Sequence, residues 1–365
     1  MKKKTMKLTR KIQLVGDLPT AEERQAEIGK LYHWQTCCYR TANLMVSHLY
    51  AQEMMEDFFY LSEGTRVKLW DERKDPAGIF ITSRMNTIYQ VASRRFKGEM
   101  PTNIISCLKG SLYSEFTKSR AAYRLGERSL PNFRKDMPFP FSREELRQFA
   151  YVPAQKAFCF RLFGIPLKTY LGRDFSDKRR LLQQLAQGEL PLCTSKLQLK
   201  NKKIYWLPVF ELEKTSPPLQ PGVVAEASFS LAYPLVVKVG KHRLTIGTKE
   251  EFLYRRLAIQ AARKRAQQGV TYAKSGKGRR RKLKAVAKLK ETERNYVRSR
   301  LHLYSRRLID FCLKHQAGTL LLLEQADKIG IAKQEEFVLR NWSYDELLTL
   351  IQYKAAKAGI EVVVG

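Results

Sequence analysis

Gly318-Thr319-Leu320-Leu321-Leu322-Leu323-Glu324 is a short apolar run that closes on a single acid, and its neighbours decide the fold. Before it, Arg281 to His315 carries apolar residues at helical spacing. After it, Ser343-Tyr344-Asp345-Glu346 has the form of a capping box over a helix bearing Leu347, Leu348 and Ile351. Ile360-Glu361-Val362-Val363-Val364-Gly365 then reads as one more strand. A buried strand set between two helices is the texture of an α/β domain. Working backwards, Glu250 to Gln268 reads as a further helix, and Val223–Phe229, Tyr233–Val239 and Lys241–Ile246 as an antiparallel meander. The connection Gly269 to Arg280 is glycine-bearing and strongly basic.

Upstream of that domain, Lys214-Thr-Ser-Pro-Pro-Leu-Gln-Pro-Gly222 reads as a linker. Strands are expected near Ala157–Phe163, Lys196–Leu199 and Ile204–Leu212. Met6 to Leu14 alternates polar and apolar positions, which predicts a first strand closed by Gly16-Asp17-Leu18-Pro19. Thr20-Ala21-Glu22-Glu23 is a capping box, and Ile28, Leu31, Tyr39, Ala42, Met45 and Leu49 follow at helical spacing. The helical period persists to Arg134, so three to five helices are expected inside a small barrel that they interrupt.

The 365 residues allow two or three compact units at about 150 residues each. Lys and Arg exceed Asp and Glu by 67 − 35 = +32, while the 44% hydrophobic content is that of a folded protein. So much charge on a folded body points to a polyanion, nucleic acid first and an anionic membrane surface second. The residues expected to meet phosphate are Arg255, Arg256, Arg263, Lys264, Arg265, Lys274, Lys277, Arg279, Arg280, Arg281, Lys282 and Lys284. Only Glu291 and Glu293 oppose this basic block, which continues to Arg307. Like charges spaced four apart weaken a free helix, and phosphates reverse that sign.

The six cysteines form no C-x-x-C, so no structural zinc ribbon is expected and their scatter suits a reducing compartment. No signal peptide and no membrane span is read, which gives an expectation of a bacterial cytoplasmic, nucleoid-associated protein. His33, His48, His242, His302 and His315 are isolated in sequence and are read as structural or surface residues. Glu324 stands at the end of its apolar strand, where a carboxylate needs a metal, a countercharge or water. A two-metal phosphodiester hydrolase needs about three clustered carboxylates, and here the neighbours are missing. The adjacent strand end reads Ala227-Ser228-Phe229-Ser230, and a neutral hydroxyl cannot balance a divalent ion. Glu226, two residues earlier on the same face, is the one acid placed to restore a metal site.

Three passages taken together, Glu293 to Asp310, Gly318 to Glu324 and Arg340 to Ile360, resemble the TnpB family of transposon-encoded, RNA-guided nucleases, relatives of the type V CRISPR effectors. The resemblance implies an α+β multidomain fold: a split β-barrel, or wedge, over 1–19 and 135–213, a helical recognition lobe over 20–134, a linker over 214–222 and a RuvC-like (RNase H-like) domain over 223–365. It maps the family's second catalytic acid onto Glu324 and places Ser228 where the first catalytic aspartate belongs. The family continues into a zinc-binding module and a last catalytic aspartate, neither of which this sequence contains, so the RuvC-like domain is expected to be truncated at its C-terminus. In these respects the chain resembles the nuclease-dead TnpB-like repressors (TldR). These hold a guide RNA, bind double-stranded target DNA beside a short flanking motif and block transcription through an R-loop. The implied partners are guide RNA and target DNA, with no membrane and one monomer per guide. No zinc, no functional magnesium pair and no other cofactor is expected. Thr82, Ser83, Asn86, Thr102, Asn103 and Ser106 are the candidates for reading the flanking motif. Two rival readings are an active TnpB-type RNA-guided DNA endonuclease and a general RNA-binding transposon accessory protein.

Overall fold

The structure, a computed structural model, describes residues 5–59, 69–172, 176–213, 219–228, 233–273, 276–323 and 343–364. Glu324 and Lys274 lie outside the described residues. The chain divides into two compact units, Thr5–Leu212 and the residues from Glu213 onward.

In the first unit the expected N-terminal strand is two short ones, β1 (Thr5–Thr9) and β2 (Ile12–Gly16). The break has a cause in Arg10, whose guanidinium leaves the ladder to grip Asp177 with bonds of 2.7 and 2.5 Å. The capping box at Thr20 forms as read: its hydroxyl accepts from the Glu23 amide, and the Glu23 carboxylate accepts from the Thr20 amide. Helix α1 (Ala21–Phe59) follows, then α2 (Arg84–Phe96), α3 (Thr102–Lys118) and α4 (Arg120–Arg124). Leu31, Cys38, Ala42, Met45 and Leu49 give α1 its buried stripe. Its other end is pinned by charge, since Glu53 and Glu56 take Arg84 and Arg120, and the fully buried Asp75 also faces Arg84. Asn43 fixes the proline-punctuated stretch beyond, accepting from the Phe133 amide and donating to its carbonyl.

Strands β3 (Phe139–Phe141), β4 (Leu146–Val152), β5 (Ala157–Leu162) and β6 (Ile165–Tyr170) come next. Helix α5 (Lys178–Ala186) then leads to β7 (Leu192–Lys200) and β8 (Lys203–Glu213). They build an eight-stranded sheet in the order β3-β7-β8-β2-β6-β5-β4, with β1 beside β8. Residues from before the helices therefore complete a sheet made by residues after them. The sheet is a curled half-barrel, where the strand pattern predicts a barrel, and both open edges explain why. β3 is three residues long with Pro140 at its centre, and β4 carries an irregularity between Arg147 and Ala150. Phe139, Phe141, Phe158, Trp206 and Phe210 are buried in the core of this unit.

The second unit holds β9 (Gln220–Ser228), β10 (Leu235–Val239) and β11 (His242–Ile246) as an antiparallel meander. Two long helices follow, α6 (Lys249–Thr271) and α7 (Gly276–Lys314), then β12 (Ala317–Leu322), α8 (Tyr344–Ala358) and β13 (Glu361–Val364). The order is β11-β10-β9-β12-β13, with β12 parallel to both β9 and β13. Ala225, Ala227, Leu235, Val237, Leu320 and Leu322 bury one face of the sheet with Leu301, Tyr304, Leu308, Leu347 and Ile351 of α7 and α8. Two local expectations differ from what forms. Ser343 is left-handed at φ 54 and makes no side-chain cap, so the second capping box is absent. The basic connection is also much shorter than read, because α6 runs on to Thr271 and α7 begins at Gly276. Lys282 explains part of this, donating to the carbonyl of Gly269 at 2.8 Å across the two helices. Among the described residues no helix is long and apolar enough to cross a membrane.

Candidate functional site

The basic block becomes a hairpin of two helices. On α6, Arg255, Lys264 and Arg265 are exposed, while Arg256 and Arg263 are half-buried. The latter two have a partner within the fold: the carboxylate of Glu293 on α7 accepts from Arg256 at 3.2 Å, Arg263 at 2.7 Å and Gln260 at 2.8 Å. Burial alone would raise the pKa of Glu293, but hydrogen bonds from Gln260 and Arg256 and the charges of Arg263 and Arg256 outweigh it and hold it below the usual carboxylate value. Glu293 thus serves as the hinge pin of the hairpin.

The first turns of α7 are the opposite case. Lys277, Arg279, Arg280, Arg281, Lys282 and Lys284 are all exposed, and the first turn contains no acid. Cations at the positive end of a helix dipole carry the wrong sign, and an external anion corrects it. Val286 and Leu289 are the half-buried positions of this stretch, so only a narrow apolar seam is withdrawn from water and the rest of the helix surface is cationic.

At the strand-end site, β9 ends on Ser228, half-buried. Alternation turns Ala225 and Ala227 into the core and leaves Val224 and Glu226 exposed on the face that Ser228 shares. The register Leu322↔Ala227, with the Leu323 amide donating to the Ala227 carbonyl, sets Ser228 level with the residue just before Glu324. Among the described residues this strand end carries one carboxylate, Glu226, and it is exposed. A pair of magnesium ions needs several clustered acids, and the described residues supply this one.

The six flanking-motif candidates fall into two groups. Ser83 caps α2, its hydroxyl accepting from the Asn86 amide, and Thr82 donates to the Ser83 carbonyl. Asn103 straps α3 to the sheet, donating to the Ser142 hydroxyl at 2.7 Å and accepting from the Ser142 amide. Thr102 and Ser106 are exposed one turn apart on α3. The α2–α3 hairpin separates the groups, because Ser83 and Arg84 line a cavity with Tyr113, Phe116 and Thr117 from the far end of α3.

Beside the start of α3 lies a cleft of about 530 Å³ lined by Trp34, Pro101, Arg147, Gln148, Arg161 and Phe163, with Glu145 as its one acid. Trp34 and Phe163 meet edge to face at 5.5 Å. Arg147 and Arg161 stand directly opposite each other on β4 and β5, a like-charge pairing that costs stability unless an anion joins it. No motif announces this cleft; a basic residue at matching distance from the turn in two successive strands is the only trace of it in the sequence. The structure also joins two of the isolated histidines, stacking His242 on His315 at 4.5 Å.

No protein-family model matches the chain. A CRISPR-associated endodeoxyribonuclease Cas12f1 from Sulfoacidibacillus thermotolerans is 21% identical over 257 residues, 65% of this chain and 59% of the relative. Cas12f1 of Syntrophomonas palmitatica is 36% identical over 91 residues, 25% of this chain and 18% of the relative. The chain thus matches 59% and 18% of the lengths of these curated relatives. Among solved structures, a chain of the Cas12f1–sgRNA–target DNA complex matches with a TM-score of 0.62 at 15% identity, over 99% of this chain and 89% of that one. The chain is homologous to Cas12f1 at low identity and shares its fold.

Proposed function

We propose that this chain is an RNA-guided, sequence-specific DNA-binding protein that does not cut its target, and that it represses transcription by holding an R-loop beside a short flanking motif. Guided binding is supported by the fold shared with a chain solved on guide RNA and target DNA. The exposed cations of α7 and the opposed arginines of the β4–β5 cleft supply phosphate-binding surfaces for that role. In this reading the half-barrel is the wedge, α1 to α4 are the recognition lobe, and the mixed five-stranded sheet with its long helices fits a RuvC-like domain.

The observation that carries the non-cutting reading is Ser228, a neutral residue ending β9 where the TnpB resemblance implies an aspartate. Where a nuclease of this kind holds metal ions to orient and polarise a phosphodiester, the described residues of this strand end offer a hydroxyl and one exposed acid. Repression then needs only occupancy. The protein contributes phosphate contacts and readout of the flanking motif, and base pairing supplies sequence.

The endodeoxyribonuclease activity of the curated relatives favours one second reading, an endonuclease in which Glu226 replaces the missing aspartate. The test purifies the chain with its RNA, sequences that RNA, and presents the matching duplex with magnesium. A discrete RNA species, motif-dependent binding and intact strands support repression. Magnesium-dependent scission at the guided site overturns it in favour of the nuclease. Bulk tRNA and ribosomal fragments without motif-dependent binding overturn it in favour of an RNA-binding accessory protein.

A further inference from the structure

His33 and Cys37 lie four residues apart on α1, so their side chains stack on one face of that helix. The third member of the group comes from far along the chain. After α2 the backbone turns sharply through Gly98, at φ 91, and the Glu99 amide bonds back to the Phe96 carbonyl. This turn returns Glu99 to α1, with its Oε2 2.9 Å from His33 Nε2, while Cys37 Sγ lies 3.6 Å from the same nitrogen. All three donor atoms fall within 4.8 Å of one another, and among the described residues this is the only such group.

We propose that His33, Cys37 and Glu99 form a site for one divalent transition-metal ion of zinc's chemistry, stapling α1 to the α2–α3 connection. The spacing fits. Tetrahedral zinc with bonds of about 2.0–2.3 Å sets neighbouring ligand atoms roughly 3.3–3.6 Å apart. The sulfur–nitrogen distance is already there, and the nitrogen–oxygen pair opens slightly to admit the ion.

Donor type narrows the choice further. A thiolate and an imidazole select zinc and its soft neighbours over magnesium or calcium, and three protein donors leave a fourth position for water or an outside ligand. That position faces solvent, because the His33 and Glu99 side chains are 52% and 57% exposed while Cys37 is 5% exposed. Charge also agrees. A dication with one thiolate, one carboxylate and a neutral imidazole sums to zero within the site, and because the ion displaces the thiol proton it raises the chain's net charge of +32 by only one. The adjacent Cys38 takes no part, being fully buried in the core. The rival account is a plain His33–Glu99 ion pair with the sulfur as a bystander.

The test titrates the chelator-stripped full chain with Co²⁺ and then Zn²⁺. One equivalent of cobalt is expected to give a thiolate-to-cobalt charge-transfer band that zinc displaces. Cys37→Ser is expected to abolish the band. The exposed substitutions Glu99→Gln and His33→Gln are expected to keep the wild-type circular dichroism and weaken zinc affinity at least about tenfold, the scale on which losing a metal-site interaction is felt. No band in the wild-type chain at stoichiometric cobalt, a band that survives Cys37→Ser, or unchanged affinity in both exposed variants would overturn the proposal. Guide binding plays no part in these readouts, so they stand apart from the repressor reading.

Discussion

Glu293 is heavily engaged, since three side chains of α6 converge on its two oxygens. Glu293→Gln is expected to lower stability at neutral pH by about 1–3 kcal/mol, because two arginines lose the charge that holds them. The pH dependence has a definite sign. The folded pKa of Glu293 is depressed, so its contribution is complete above the unfolded glutamate value of about 4.3 and is lost as pH falls through the lower folded value. Thermal melts of both proteins should therefore differ at pH 7 and converge at strongly acid pH; a constant gap would show that the charge is not the cause. This residue also marks what sequence can and cannot reveal. Glu293 was legible as an isolated acid in a basic run, but the arginines it neutralises were not, because their pairing depends on how α6 folds back on α7.

Strand β12 lies against β9 so closely that Gly318 has no room for a side chain: a Cβ there would meet the Gln220 carbonyl oxygen at 2.7 Å and the Pro221 Cα at 2.9 Å. Both obstacles are backbone and cannot rotate away. Gly318→Ala is expected to destabilise the second unit by about 1–3 kcal/mol through overpacking, read as a lowered denaturant midpoint with the first unit's transition unmoved. Elements of this kind were readable where their cause was local. The Thr20 capping box and the apolar run at Gly318–Leu323 announced themselves within a few residues. The Ser343 capping box did not form, and helix α7 started before the point where the periodic apolar positions become obvious, because packing against α6 sustains a turn too cationic to stand alone. The opposed Arg147 and Arg161 required strand register, which propensity does not contain.

At the scale of the molecule, the net charge of +32 is the dominant physical fact, and among the described residues a dense exposed run of it lies on α7. Replacing Arg279, Arg280 and Arg281 together by Gln is expected to weaken nucleic-acid binding and to reduce the slope of log affinity against log salt by about one for each phosphate that is no longer neutralised. An unchanged slope across a salt series would remove this helix from the interface. Composition alone pointed to a polyanion, yet it could not separate these solvent-facing arginines from Arg256 and Arg263, which the fold uses internally. The placement of β2 between β8 and β6 has a further consequence, for biosynthesis. As the chain leaves the ribosome at about 5–20 residues per second, Ile12–Gly16 emerges early and must wait on the order of ten seconds or more for Ile204–Trp206. Throughout that interval a nascent strand with apolar Ile12 and Leu14 has an unsatisfied edge, so this protein should lean on holding chaperones during translation and refold slowly from denaturant, however fast its helices form.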